Sequence, residues 1–264
     1  ILQMFTNNFD PVAFEIFSLS VRWYSLAYIF GIIFGWIYCK KILIKDDIIK
    51  KLFEDYISYL IIGIIVGGRL GYVIFYNFPY FLNKPIEILM IWNGGMSFHG
   101  GLIGVIISSY LFSKKNAKDI FVFLDLVSVT APIGILFGRV SNFINGELVG
   151  KTTNSNWGVF FLNYDDKLRH PSQLYEAFLE GFILFILMNL IFFNKNYKIG
   201  TCSMMFLILY GCFRIISEFF REPDMQIGYL FGHVSMGILL SAIMILIGIL
   251  IYFKRNDETK SQKI

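Results

Sequence analysis

Seven stretches of the chain carry almost no charge: residues 21–39, 56–76, 96–113, 120–138, 174–193, 199–220 and 229–253. Each is close to the length at which an apolar helix crosses the hydrocarbon of a bilayer. The pattern therefore predicts an all-α integral membrane protein with seven transmembrane helices. Polar positions gather in short connections, apart from a small excursion over 139–173 between helices 4 and 5. One seven-helix membrane domain is expected over 1–253, followed by a short polar tail over 254–264. The lead before residue 21 is polar and aromatic, without the basic start and cleavage site of a signal peptide. Spacings such as Gly63/Gly67 and Gly100/Gly104 let helix backbones approach closely. No tandem or inverted repeat is evident, which counts against a repeat-built transporter.

Charge orients these helices. The connections at 40–51, 114–118 and 195–198, with the tail, hold fourteen Lys and Arg; the opposite set holds seven. Arg69 and Arg214 fall inside spans. Lysine-rich loops stay in the cytoplasm, so the N-terminus is expected outside, the C-terminus inside and the excursion external. Composition agrees: 56% of residues are hydrophobic and 16% charged, and the mean hydropathy is +0.63. That balance excludes a water-soluble enzyme and a disordered chain. The net charge of +4 forms no aromatic-interleaved basic patch, so nucleic acid is not an expected partner. Cys39, Cys202 and Cys212 lie in apolar runs without a CxxC, so neither disulfides nor zinc are expected.

Orientation gives each intramembrane polar residue a depth, and such residues are functional candidates. Arg22, Tyr24, Arg69, His99, Gln173, Tyr175, Glu176, Tyr210, Arg214 and Glu218 all fall toward the outer face. Arg139, Asn142, Glu147 and Gly150 are expected just beyond the outer end of the fourth helix. Asp125, near the cytoplasmic end of its span, is the main exception and reads as structural. A pore needs polar groups through its whole depth; a single layer suits work on a lipid headgroup. Arg69, Arg139 and Arg214 are candidates for its phosphate, because a guanidinium offers two parallel donors. Structural pairing also fits two of them: Arg214 with Glu218 four residues on, and Arg69 with a nearby glutamate. His99 sits in the uncharged, glycine-rich run 93–104, with small neighbours that leave room beside the ring. His170 and His233 share no metal-ligand spacing with it, and neither HExxH nor GxSxG occurs. No metal and no cofactor are expected. A transporter and a seven-helix sensor are rival classes, but the first needs polar groups at the inner face and the second a cytoplasmic domain.

These residues give the chain a specific resemblance. Arg22-Trp23-Tyr24, residues 68–77, the His99-Gly100-Gly101 run, GRVSNFINGELVG at 138–150, residues 169–176, and Tyr210 to Arg214 leading on to 219–224 together resemble the bacterial prolipoprotein diacylglyceryl transferases. The resemblance implies an enzyme of the bacterial cytoplasmic (inner) membrane, with its active site facing the outer leaflet. Such an enzyme moves the sn-1,2-diacylglyceryl group of phosphatidylglycerol to the lipobox cysteine of a preprolipoprotein signal peptide. A thioether forms and glycerol phosphate leaves. It further implies catalytic roles for His99, Arg139, Arg214, Tyr24 and Tyr210. Substrate binding is implied for Arg139, Asn142, Glu147, Gly150, Glu218 and Arg221, and Arg69 joins them as a candidate anion ligand. Glu147 and Glu218 are expected to orient the arginines. His99 is the natural base for the acceptor thiol, with a carboxylate or a water as the alternative. The external excursion is shorter than in many members, so the cover it gives the site is expected to be reduced.

Overall fold

The computed structural model describes residues 4–17, 19–223, 228–230 and 234–256. His233 and most of the predicted tail, 257–264, lie outside the described residues. The expected polar lead forms three strands, β1 (Phe5–Asn7), β2 (Val12–Ile16) and β3 (Leu19–Arg22). Helix α1 (Trp23–Tyr38) follows and is prolonged by a π-helical turn, Cys39–Leu43. Next come α2 (Asp47–Tyr76), the short α3 (Phe78–Asn83), two 3-10 turns (Pro85–Leu89 and Ile91–Asn93), α4 (Phe98–Lys115) and α5 (Ile120–Asn145). After β4 (Val159–Phe161) and β5 (Leu168–Arg169), α6 (Ser172–Glu176) runs through a π-helical stretch (Ala177–Ile183) into α7 (Leu184–Phe192). The chain continues with α8 (Thr201–Glu218), a short pair β6 (Tyr229–Leu230) and β7 (Val234–Ser235), and α9 (Met236–Asn256).

Among the described residues, six helical stretches are long and apolar enough to cross a membrane: Trp23–Leu43, Asp47–Tyr76, Ile120–Asn145, Ser172–Phe192, Thr201–Glu218 and Met236–Arg255. This is a multi-pass membrane protein. The third expected span folds as α4, but its polar content (His99, Ser108, Ser109, Ser113, Lys114 and Lys115) keeps it out of that set. Helix ends also move. Asp46 starts α2 well before residue 56, its carboxylate accepting from the N–H of Ile48 at 2.7 Å and of Ile49 at 3.0 Å. Helix α5 does not stop at residue 138 but continues to Asn145. Arg139 and Asn142 therefore project from a helix, one turn apart, and do not lie beyond its end as expected.

The chain divides into two compact units, Lys40–Leu124 on one hand and Ile1–Cys39 with Asp125–Lys263 on the other. In the first, α2 and α4 meet through glycine. A Cβ on Gly67 would lie 2.4 Å from the carbonyl oxygen of Gly100, and one on Gly104 1.9 Å from that of Gly63. In the second unit α1 crosses α5 where a Cβ on Gly31 would lie 2.8 Å from the Cα of Gly134. Strand β1 pairs in parallel with β4, and β4 antiparallel with β5; β2 and β3 form a hairpin. Asp125, fully buried near the start of α5, accepts from the hydroxyls of Tyr197 and Ser203 and from the N–H of Gly200 at 2.6 Å and of Ser203 at 2.7 Å. Gly200 is the N-cap of α8 and has no side chain to close the helix. Asp125 closes it from another element, and α5 and α8 are tied together at that point.

Candidate active site

Four turns of helix beyond Asp125, α5 presents Arg139 to the rod formed by α6, the π-helical stretch and α7. Arg139 Nη1 lies 2.9 Å from Glu176 Oε2, and Nη2 donates to Glu180 Oε2 at 3.1 Å. Arg214 on α8 approaches the same two carboxylates. Its Nη1 donates to Glu176 Oε1 at 2.6 Å and lies 3.8 Å from Glu180 Oε1. Its Nη2 lies 2.7 Å from Glu218 Oε2, one turn along the same helix. Arg221 Nη1 donates to Glu176 Oε1 at 3.2 Å. Two arginines from separate helices are thus held side by side by a shared pair of glutamates. Both glutamate side chains are fully buried. The guanidinium-bearing side chains keep a little exposure, 16% for Arg139 and 12% for Arg214.

Three guanidinium and three carboxylate groups balance in charge, which lets them stay buried together. They do not exhaust one another. Arg139 has five N–H donors and turns only its two terminal nitrogens to Glu176 and Glu180. Glu176 Oε2, Glu180 Oε1 and Glu218 Oε2 face guanidinium nitrogens without an aligned hydrogen bond. Gly237, at the start of α9, admits the Glu218 carboxylate, since a Cβ there would lie 2.9 Å from it.

The segment after α5 is stitched beneath this cluster. Glu147 accepts from Asn142 Nδ2 at 2.8 Å and Asn145 Nδ2 at 3.1 Å. It orients amides, not the arginines the sequence pointed to; Glu176 and Glu180 hold the arginines in its place. Gln173 Nε2 donates to the Glu147 carbonyl at 2.7 Å. Gly150 threads between two other segments: its N–H donates to His170 O at 3.1 Å, and its backbone pairs with Arg221. A Cβ at Gly150 would lie 2.3 Å from His170 O and 2.8 Å from Phe220 O, so no side chain fits. Arg169 grips Asp165 with two donors at 2.9 and 2.6 Å and donates to Gly150 O at 2.8 Å. The Arg169 hydrogen bonds hold the Asp165 carboxyl below the usual carboxylate range.

Tyr210 is buried on α8, stacked on Phe206 and within electrostatic reach of Arg139, Arg214, Glu176 and Glu180. Tyr24, in the first turn of α1, touches Tyr28 through its hydroxyl at 3.2 Å and lies within electrostatic reach of Glu147 and Arg139. His99 and Arg69 belong to the other unit. His99 is in the first turn of α4, its ring edge-on to Phe98. Among the described residues Arg69 makes no salt bridge to a carboxylate. All five of its N–H groups meet backbone carbonyls, those of Glu87, Ile88, Met90, Gly94 and Gly95.

The sequence pattern gives Glu176 no role and passes over Glu180. The signal was present. Both are acids in an apolar run, four residues apart, and the rule that singled out Arg214 applies equally to them.

Comparison with known proteins bears on this geometry. The family described as prolipoprotein diacylglyceryl transferase matches residues 11–254. A protein of Rickettsia bellii (strain OSU 85-389) is 51% identical over 252 residues, covering 94% of this chain and 95% of that protein. One of Rickettsia typhi is 50% identical over 260 residues, covering 97% and 100%. One of Ehrlichia canis is 51% identical over 243 residues, covering 90% and 93%. Each bears the name phosphatidylglycerol–prolipoprotein diacylglyceryl transferase. A match of this length and identity, with the arginine cluster in place, shows that the chain belongs to the prolipoprotein diacylglyceryl transferase family.

Proposed function

We propose that this chain transfers the sn-1,2-diacylglyceryl group of phosphatidylglycerol to the lipobox cysteine thiol of a preprolipoprotein, the first step of bacterial lipoprotein maturation. It works from the outer leaflet of the cytoplasmic membrane, with seven spans, the N-terminus outside, the C-terminus in the cytoplasm and the 139–173 excursion external. The observation that carries this reading is the convergence of Arg139 and Arg214 on shared glutamates, with N–H donors that meet no acceptor among the described residues. A diester phosphate fits such a pair.

The thiolate, not the thiol, is the nucleophile. A base removes the thiol proton, and the sulfur attacks the glyceryl carbon that carries the phosphate. The S–C bond forms as the C–O bond breaks, and the electron pair leaves on the phosphate oxygen. Arg139 and Arg214 meet that growing charge in a dry setting, where one placed donor is worth about 3–4 kcal/mol. Glu176, Glu180 and Glu218 orient the two guanidiniums. Tyr24, Asn142 and Tyr210 hold headgroup oxygens, with Glu147 fixing Asn142, and Gly150 and Arg221 closing the segment behind them. His99 takes the thiol proton, since histidine titrates near neutral pH. The rival transporter reading rested on Asp125, and that carboxylate is engaged in closing α8.

The test is mass spectrometry of a lipobox peptide incubated with purified protein and phosphatidylglycerol. The wild type is expected to yield the diacylglyceryl adduct and Arg139→Ala none. Absence of adduct with the wild type overturns the function, and wild-type turnover in Arg139→Ala removes that residue from the mechanism.

A further inference from the structure

We propose that Arg69 serves the transfer reaction as a positioning residue for His99, not as a ligand of the phosphate. The inference rests on the assignment of His99 to the acceptor thiol's proton.

Arg69 and His99 belong to the same compact unit. Arg69 is a buried cation in the last third of α2. Its Nε donates to Ile88 O at 2.9 Å, one terminal nitrogen to Gly94 O and to Gly95 O at 3.2 Å, and the other to Glu87 O at 2.6 Å and Met90 O at 3.3 Å. The guanidinium also lies over the Phe81 ring at 5.1 Å. A phosphate could reach Arg69 only by stripping a carbonyl, so an anion role is disfavoured. The segment it grips is made of two 3-10 turns and the Gly94-Gly95 bend, short elements that leave carbonyls in need of partners beyond their own turns. Gly94 and Gly95 have φ of 81° and 82°, a region that favours glycine. In this segment Ile86, Leu89 and Trp92 are exposed, and Ile88 and Met90 are half-buried. Glu87 is also held by the Tyr80 hydroxyl at 2.5 Å, but five of the segment's backbone carbonyls converge on Arg69.

The segment leads directly into the turn that carries His99. Ser97 N–H donates to Gly68 O at 2.9 Å, next to Arg69 in the chain. The Ser97 hydroxyl then caps α4 by accepting from Gly100 N–H at 3.2 Å. A Cβ on Gly71 would lie 2.6 Å from the Cα of Gly100, so the helix start is seated tightly on α2. Arg69 fixes the chain on one side of His99 and the glycine seat fixes it on the other. The backbone that carries the imidazole is thereby held in place. Lysine keeps the charge but offers a compact ammonium in place of the planar fork, and it cannot span five carbonyls.

The test uses the full-length protein in detergent with phosphatidylglycerol and a lipobox peptide, measuring kcat and the KM for lipid across pH. Displacing a proton-transfer group costs about 10²-fold in rate. Arg69→Lys is expected to lower kcat by about that factor while the KM for phosphatidylglycerol stays within about twofold. The loss should shrink at alkaline pH, where the thiol ionises unaided. The double variant Arg69→Lys/His99→Gln should be no slower than His99→Gln. A raised KM with kcat preserved, or losses that multiply in the double variant, would overturn the proposal. Equal loss at every pH together with a lowered melting temperature would overturn it too, since that marks a purely structural role. If His99→Gln shows no alkaline recovery, the base assignment falls, and non-additivity of the pair still decides Arg69. Should Arg69→Lys not fold, Gly94→Ala perturbs the same link. It strains a held carbonyl with open space around the new methyl, and the same kcat-only loss is expected.

Discussion

Two like charges, Arg139 and Arg214, approach one another because Glu176 and Glu180 bridge them. Neither pair of helices would tolerate the other without those carboxylates. Replacing Glu180 with Gln leaves three guanidiniums against two carboxylates among the described residues. Breaking a buried pair costs about 3–5 kcal/mol, so Glu180→Gln should melt at a lower temperature in detergent. A bound phosphate returns the missing negative charge. Phosphatidylglycerol should therefore raise the melting temperature of Glu180→Gln more than that of the wild type; an equal rise would argue against phosphate at this cluster. At this scale the sequence was legible wherever a lone charge stood in an apolar run. It failed where partners had to be matched. Position alone could not show that Arg69 faces carbonyls, that Glu147 faces amides, or that Glu180 completes the pair.

Helices carry these groups, and their ends mattered more than their middles. The apolar middles of the long helices were plain from composition. The end of α5 was not, because Arg139, Ser141, Asn142 and Asn145 look like a loop to any measure of polarity. They stay helical because their side chains find partners: Arg139 the glutamates, Ser141 the Trp23 carbonyl at 3.2 Å, Asn142 the Glu147 carboxylate. Asp125 is the matching device at the other end of the same helix. Removing it orphans two N–H groups of α8 and the hydroxyls of Tyr197 and Ser203. Each orphaned buried donor costs about 1–3 kcal/mol. Asp125→Ala should lower the melting temperature sharply and speed hydrogen exchange in the first turn of α8, with Asp125→Asn recovering part. Unchanged exchange there would show that Asp125 does not hold the helix.

The whole molecule joins distant segments in ways that no local pattern announces. Strand β1 pairs with β4 from the far side of the sequence, and Gly150 is fitted between residues 170 and 220. Short polar strands of two or three residues lack the periodicity that betrays long helices. Arg169 fastens this region by gripping Asp165 and the Gly150 carbonyl. Because Arg169 depresses the Asp165 pKa, its contribution is fully present above the ordinary aspartate range, about pH 4. It is lost as pH falls through the depressed value. Protection from amide exchange at Thr153 and His170, whose N–H groups bond Leu168 O and Lys151 O, should fall below about pH 4 in the wild type. It should be low at every pH in Asp165→Asn; protection independent of pH in the wild type would remove Asp165 from this role. The account as a whole turns on the place of the substrate phosphate. A structure of this protein with bound phosphatidylglycerol tests that directly. The phosphate oxygens should lie within about 3 Å of guanidinium nitrogens of both Arg139 and Arg214; a phosphate held by only one of them, or elsewhere in the molecule, would contradict it.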